Sequence, residues 1–192
     1  DLKDLQGIGV TVGPGSYTGL RIGITTAKSI AQILIIPVYG ISTLAALAWQ
    51  IKDFDSVCFS IIPARKNEVN VAMFGLSNQQ LNRLTENFVW DFETMLAKLA
   101  QIKGLVYVLG LIPSDLAAKI TNRHIRVLNL PLKAVSLAQL AQRNFVAKKS
   151  GDYLSDIKVV RFGNVFGSKG SAIELFIDQL NNKLPITLTD LK

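Results

Sequence analysis

The sequence predicts an α/β fold built on a mixed sheet. Three observations carry this. Apolar strand-like runs alternate with helix-like runs from Gly7 to Lys148. Between Ser56 and Phe88 the alternation gives way to strands joined by tight turns, which adds antiparallel pairing to a parallel pattern. Of 192 residues, 49% are apolar, enough to build a core in one or two small lobes.

The elements follow in order. Residues 7–12 read as a strand, 18–35 as an amphipathic helix with Thr18 as its cap, and 37–40 as a short strand. Ser42 caps a second helix that runs to about Lys52. Residues 56–62, Glu68–Phe74 and Leu81–Phe88 read as three strands of a meander. Trp90–Ile102 reads as a helix, Leu105–Leu109 as a buried strand and Ser114–Ile120 as a capped helix. His124–Leu128 forms another strand, and Ala134–Lys148 a long helix.

The most informative stretch is Gly13-Pro14-Gly15-Ser16-Tyr17-Thr18-Gly19-Leu20-Arg21-Ile22-Gly23. Four glycines in so short a run mean a sharp turn or a close approach by something else. A strand, a glycine loop and a helix start together make an anion cradle, so Gly13, Gly15, Ser16 and Thr18 are candidate phosphate contacts. A tight turn that opens a buried helix explains the same residues. The loop lacks the Gly-Lys-Ser/Thr of a Walker loop: Gly19 is followed by Leu20-Arg21. The dinucleotide fingerprint fails as well, with Thr18 where its third glycine belongs. Along the helix, Gly19, Gly23, Ala27 and Ala31 recur every fourth residue and share a face. Such a stripe lets another backbone approach closely, either within this chain or from a partner. On the partner reading, Gly19, Arg21, Gly23, Ala27, Ile30 and Ala31 form the interface.

This glycine motif resembles the signature of the bacterial TsaB (YeaZ) family, Gly-Pro-Gly-Ser-Phe-Thr-Gly-Leu-Arg-Ile-Gly. The likeness continues through Ala27-Lys28-Ser29-Ile30-Ala31 and Pro37-Val38-Tyr39-Gly40-Ile41-Ser42-Thr43-Leu44. Pro63-Ala64-Arg65-Lys66-Asn67-Glu68-Val69 is similar to the family's Asp-Ala-Arg-x-x-Glu-Val turn, in which Ala64, Arg65 and Glu68 match and Pro63 replaces the usual Asp. The resemblance covers roughly residues 1–155. It implies an actin/Hsp70-like fold of two α/β lobes, here residues 1–50 and 51–155. It also implies further strands and a helix before residue 7, so the chain is expected to be truncated at its N-terminus, with uncovered sheet edges and either poor solubility or dependence on a partner.

The family resemblance implies a function too. Proteins of this family are non-catalytic partners of a TsaD-like paralogue and, with a small TsaE-like ATPase, help to install threonylcarbamoyladenosine in tRNA. They dimerise through first-lobe helices, as homodimers or with the paralogue. No cofactor is assigned to this chain, ATP belonging to the partner enzymes, and tRNA is reached through the complex. Ranged against this reading are an ATP-binding or hydrolytic protein of the same fold that uses the glycine loop, and a nucleotide-sugar dehydratase fragment.

Composition narrows the classes. The formal net charge of +7 suits an acidic partner such as tRNA, but it is spread along the chain, and pairs such as Arg65-Lys66 fit a solvated surface equally. No apolar run approaches the roughly 20 residues of a membrane span, and the start Asp1-Leu2-Lys3-Asp4 is no signal peptide, so a cytoplasmic setting is expected. The one cysteine, Cys58, lies in an apolar run and reads as a buried thiol; the one histidine, His124, reads as structural. One Cys and one His exclude the common zinc sites, and no metal or catalytic residue is assigned.

The C-terminal segment departs from this pattern. Val159-Val160-Arg161-Phe162-Gly163-Asn164-Val165-Phe166-Gly167-Ser168-Lys169-Gly170-Ser171 resembles the extended short-chain dehydrogenase/reductase family, in particular nucleotide-sugar 4,6-dehydratases of polysaccharide biosynthesis. In that family the residue matching Asn164 lies near the sugar nucleotide. The catalytic Tyr-x-x-x-Lys pair is missing: Tyr153 is followed four residues on by Ile157, and Tyr107 by Leu111. Residues 156–192 are thus expected to be a foreign strand–helix tail, inactive as it stands and joined near Leu154-Ser155-Asp156.

Overall fold

The computed structural model describes residues 4–148. Two sheets organise them. In the first, β1 (Ile8–Gly13) pairs in parallel with β2 (Val38–Ser42), Ile8 opposite Val38 and Thr11 opposite Ile41. The connection is helix α1 (Tyr17–Leu34), which packs against β1. The second sheet has the order β5-β4-β3-β7-β8, with β6 also on β4. Its strands are β3 (Ser56–Pro63), β4 (Glu68–Ser77), β5 (Gln80–Arg83), β6 (Phe88–Asp91), β7 (Val106–Gly110) and β8 (Ile125–Asn129). The strands β3, β7 and β8 are parallel, and β4 is antiparallel to β3, so the sheet is mixed.

Alternation along the strands divides the core into two faces. Phe59, Ile61, Val69, Val71, Val106 and Val108 point to one side, where α3 (Phe92–Ala100) and α4 (Ser114–Lys119) bring Met95, Leu99 and Leu116. Cys58, Ile62, Ala72, Phe74 and Leu109 point to the other, where α2 (Thr43–Ala48) brings Leu44 and Leu47. The Ser60 hydroxyl, fully buried, donates to the Leu44 carbonyl at 2.7 Å and ties α2 to this face. The last described helix, α5 (Ala134–Lys148), returns to β1 and β2, and its Ala141 joins Tyr39, Ile41 and Ala46 in a third cluster. It reaches this position because Gly9 carries no side chain: a Cβ there would lie 2.8 Å from the Ala141 Cβ. The Arg143 guanidinium over the Trp49 ring, and the Trp49 indole N–H donating to Gln139 at 2.9 Å, hold α5 to the 3₁₀ turn Trp49–Ile51 that follows α2.

Four expectations need correction. The cap of α1 is Ser16, whose hydroxyl accepts from the Gly19 N–H at 3.3 Å, because the helix begins at Tyr17, before Thr18. Leu81–Phe88 is not one strand. The chain loops out between β5 and β6, and the Thr85 hydroxyl there accepts the Met73 N–H at 2.9 Å. The Arg83 guanidinium gathers Asn87 and the Thr85 carbonyl across the same loop. The third helix starts at Phe92, since Trp90 belongs to β6 and Asp91 accepts the Thr94 N–H as its cap at 2.6 Å. Finally, Pro113 precedes α4 and leaves it without a side-chain cap. The expected tail strand and helix, with Asn164, lie outside the described residues.

Two outcomes follow. Gly110 has φ 125°, and a Cβ there would collide with the Ile61 carbonyl oxygen. Gly110→Ala is expected to destabilise the chain by about 3 kcal/mol in urea unfolding. The backbone and side chain of Thr94 hold the Asp91 carboxyl below its ordinary 3.8, so this group's stabilisation is present above that pH and is lost as pH falls through the lowered value. Asp91→Ala should therefore lower Tm at neutral pH, with the gap to the parent chain closing in acid below 3.8.

Candidate partner interface and cleft

The small-residue stripe of α1 faces inward. Ala27 and Ala31 are each only 5% exposed and are the helix's buried residues. A Cβ on Gly23 would meet Val10 of β1 at 3.9 Å. The stripe thus meets this chain's own strand at ordinary van der Waals distance, with room for a Cβ at Gly23, while Gly19 at its start stays exposed. Of the six expected interface residues, Gly23, Ala27 and Ala31 are taken up this way. Ile30 is half-buried, and Gly19 and Arg21 are exposed. The Arg21 guanidinium lies 5.3 Å from the Tyr17 ring centroid and donates to the Tyr17 hydroxyl at 3.4 Å.

The outward side of α1 carries residues that the sequence reading missed. Ile22 is 63% exposed and Ile33 79%. They stand eleven residues apart, a separation that returns to nearly the same helix angle, and that spacing was a usable signal. Thr18, Arg21, Thr25 and Thr26 line a shallow depression around Ile22. Among the described residues Ile22 is the one apolar residue of this depression, and Ile33 stands about three turns further along the same face.

The glycine loop sits over a cleft of about 330 Å³. Gly13 has φ 112°, which accounts for a glycine at that turn, and the peptide bond to Pro14 is cis. Gly15 and Ser16 open onto the cleft, while Leu20, Leu47, Ile62 and Leu111 make its walls apolar. Among the described residues no Lys, Arg, Asp or Glu lines it; Gly13 and Gly15 also border a second depression, which Arg83 lines. A nucleotide phosphate inside this apolar cleft would find no counter-charge; the Ser16 hydroxyl oxygen there accepts from the Gly19 N–H as the helix cap. Among the described residues the buried Thr43 hydroxyl, at the same cleft, has no hydrogen-bond partner.

Ala64, Arg65 and Glu68 belong to the β3–β4 turn, whose neighbour Pro63 borders the cleft under the glycine loop. The Ala64 N–H donates to the Glu68 carbonyl at 2.9 Å, and the Glu68 N–H to the Arg65 carbonyl at 3.1 Å. Asn67 takes a left-handed conformation at φ 60°. Elsewhere, burial pushes the Cys58 thiol up to about 12, which keeps it protonated and inert. Among the described residues no cluster of three His, Cys, Asp or Glu is placed to hold a metal, and no helix is long and apolar enough to cross a membrane.

Residues 1–151 match the family described as TsaD: tRNA N6-adenosine threonylcarbamoyltransferase. The chain belongs to this family. Its curated relatives include the TsaB proteins, named for tRNA threonylcarbamoyladenosine biosynthesis. That of Bacillus subtilis (strain 168) is 42% identical over 95 residues, 50% of this chain and 40% of the relative. That of Escherichia coli (strain K12) is 34% identical over 95 residues, 48% of this chain and 37% of the relative. The chain thus spans less than half the length of these relatives. Among solved structures, YeaZ from Pseudomonas aeruginosa superposes with a TM-score of 0.65 at 22% identity, over 84% of this chain and 76% of that one. The mixed-sheet α/β fold expected from the TsaB/YeaZ resemblance is the fold observed. Residues 131–192 also match a second family, described as a polysaccharide biosynthesis protein, which agrees with the dehydratase-like motif read there.

Ala27→Trp tests the seating of α1. It should cost about 3 kcal/mol of stability in chemical unfolding, because the indole has no space against β1.

Proposed function

We propose that this chain is a non-catalytic dimerisation and scaffold subunit that pairs with a TsaD-like enzyme in tRNA N6-threonylcarbamoyladenosine modification. A cytoplasmic setting, a TsaE-like ATPase in the same assembly and tRNA contact through the complex belong to this reading. Kinship with the TsaB relatives supports the pathway. The observation that carries the scaffold role is the outward face of α1, where Ile22 and Ile33 remain exposed on a helix whose other side is fixed to β1. Burying two such side chains against a partner contributes roughly 1.5–3 kcal/mol each, enough to bias pairing. The apolar walls of the cleft under the glycine loop support this reading; the ATP-binding alternative would have to use the other side of the loop, where Arg83 lines a depression beside Gly13 and Gly15.

The experiment is a binding titration of this chain against a TsaD-family enzyme, read by calorimetry. Ile22→Asp should weaken the complex at least about tenfold while leaving Tm unchanged, since the residue touches little of its own chain. Full affinity in Ile22→Asp and Ile33→Asp would remove α1 from the interface.

A further inference from the structure

At the carboxyl ends of β3, β7 and β8 lies a second cleft, of about 530 Å³, which shares Pro63 and Leu111 with the cleft under the glycine loop but takes no lining residue from α1. This end of a parallel strand set is where ligands of α/β sheets collect. The volume falls in the range of small-molecule sites. Four charged side chains line it: Arg65 and Lys66 from the β3–β4 turn, Glu68 at the start of β4, and Asp115 in the first turn of α4. Among the described residues, none of these four charged groups makes an ion pair or a hydrogen bond. Two cations and two carboxylates thus converge on one cleft without neutralising each other.

The surroundings are built rather than loose. The turn is pinned by its two internal hydrogen bonds and by the Phe92 N–H donating to the Asn67 carbonyl at 3.0 Å. The Asn129 side-chain oxygen accepts from the Ile112 N–H at 3.4 Å, and among the described residues its amide N–H groups have no partner. Buried Phe92 and Ile112 give the cleft an apolar wall. A purely anionic ligand would meet Glu68 and Asp115, and a purely cationic one Arg65 and Lys66. Only a ligand with both charges uses all four.

We propose that this cleft binds a zwitterion of amino-acid size, a free α-amino acid with an aliphatic side chain. Its carboxylate faces Arg65 and Lys66, its ammonium faces Glu68 and Asp115, and its side chain lies on Phe92 and Ile112. The site stands independently of the scaffold role, since neither α1 nor the glycine loop contributes to it.

The test is a titration of the full chain with L-leucine, followed by amide NMR shifts. N-acetyl-L-leucine, which lacks the ammonium, and L-leucinamide, which lacks the carboxylate, run in parallel. They also stand in for the two ends of a peptide. Saturable millimolar binding of L-leucine with shifts at residues 65–68 and 111–115 is expected, and each derivative should bind at least about tenfold more weakly. Arg65→Gln and Asp115→Asn should each weaken L-leucine to a similar degree with Tm unchanged; the two residues are exposed, so folding is not at stake. No saturable shifts, equal binding by either derivative, or full binding by both variants would overturn the proposal.

Discussion

The seating of α1 on β1 governs how this molecule can be read. Ala27 and Ala31 present no more than a methyl group to the strand, and Gly23 presents nothing beyond its backbone. The helix therefore lies close to the sheet, and its rotation about its own axis is fixed. That rotation turns Ile22 and Ile33 outward. On the opposite face of the same two strands, Gly9 lets α5 approach just as closely. A missing side chain thus admits α5 to its side of the sheet, while α1 seats on the other through its small buried Ala27 and Ala31.

Packing of this kind explains what the glycine motif is for. Its glycines satisfy a turn and a helix-to-strand contact, and the cleft they overhang is apolar. A phosphate-binding loop asks for backbone donors and counter-charge together. Here the cap has taken one donor, and the charge beside the loop, Arg83, lines a separate depression next to Gly13 and Gly15 and is held by Asn87 and the Thr85 carbonyl. The motif is conspicuous as sequence because strand, turn and helix must meet within a few residues.

Much of this architecture was legible in the chain. Apolar runs located β1, β3, β4, β7 and β8, and Ser42 was rightly read as a helix cap, its hydroxyl accepting from the Ala45 N–H at 3.4 Å. The family motif led to the fold. What escaped depended on tertiary contacts. The break between β5 and β6 is held by Thr85 and Arg83 reaching across space, which no periodicity records. A stripe of small residues fits an internal strand as well as a partner, so its direction could not be read from spacing alone. The charged cleft draws Arg65 and Asp115 from elements fifty residues apart, and only folding brings them to one place.

The central claim is that α1 spends its small-residue face within the chain and offers the opposite face to another protein. Thiol-labelling rates of Ile22→Cys and Ala27→Cys test it directly, with buried Cys58 as the internal standard. The account predicts fast labelling at position 22 that slows when a TsaD-family enzyme is added, and labelling at position 27 as slow as that of Cys58 throughout. Fast labelling at position 27 that the enzyme suppresses, with position 22 indifferent to it, would contradict the account.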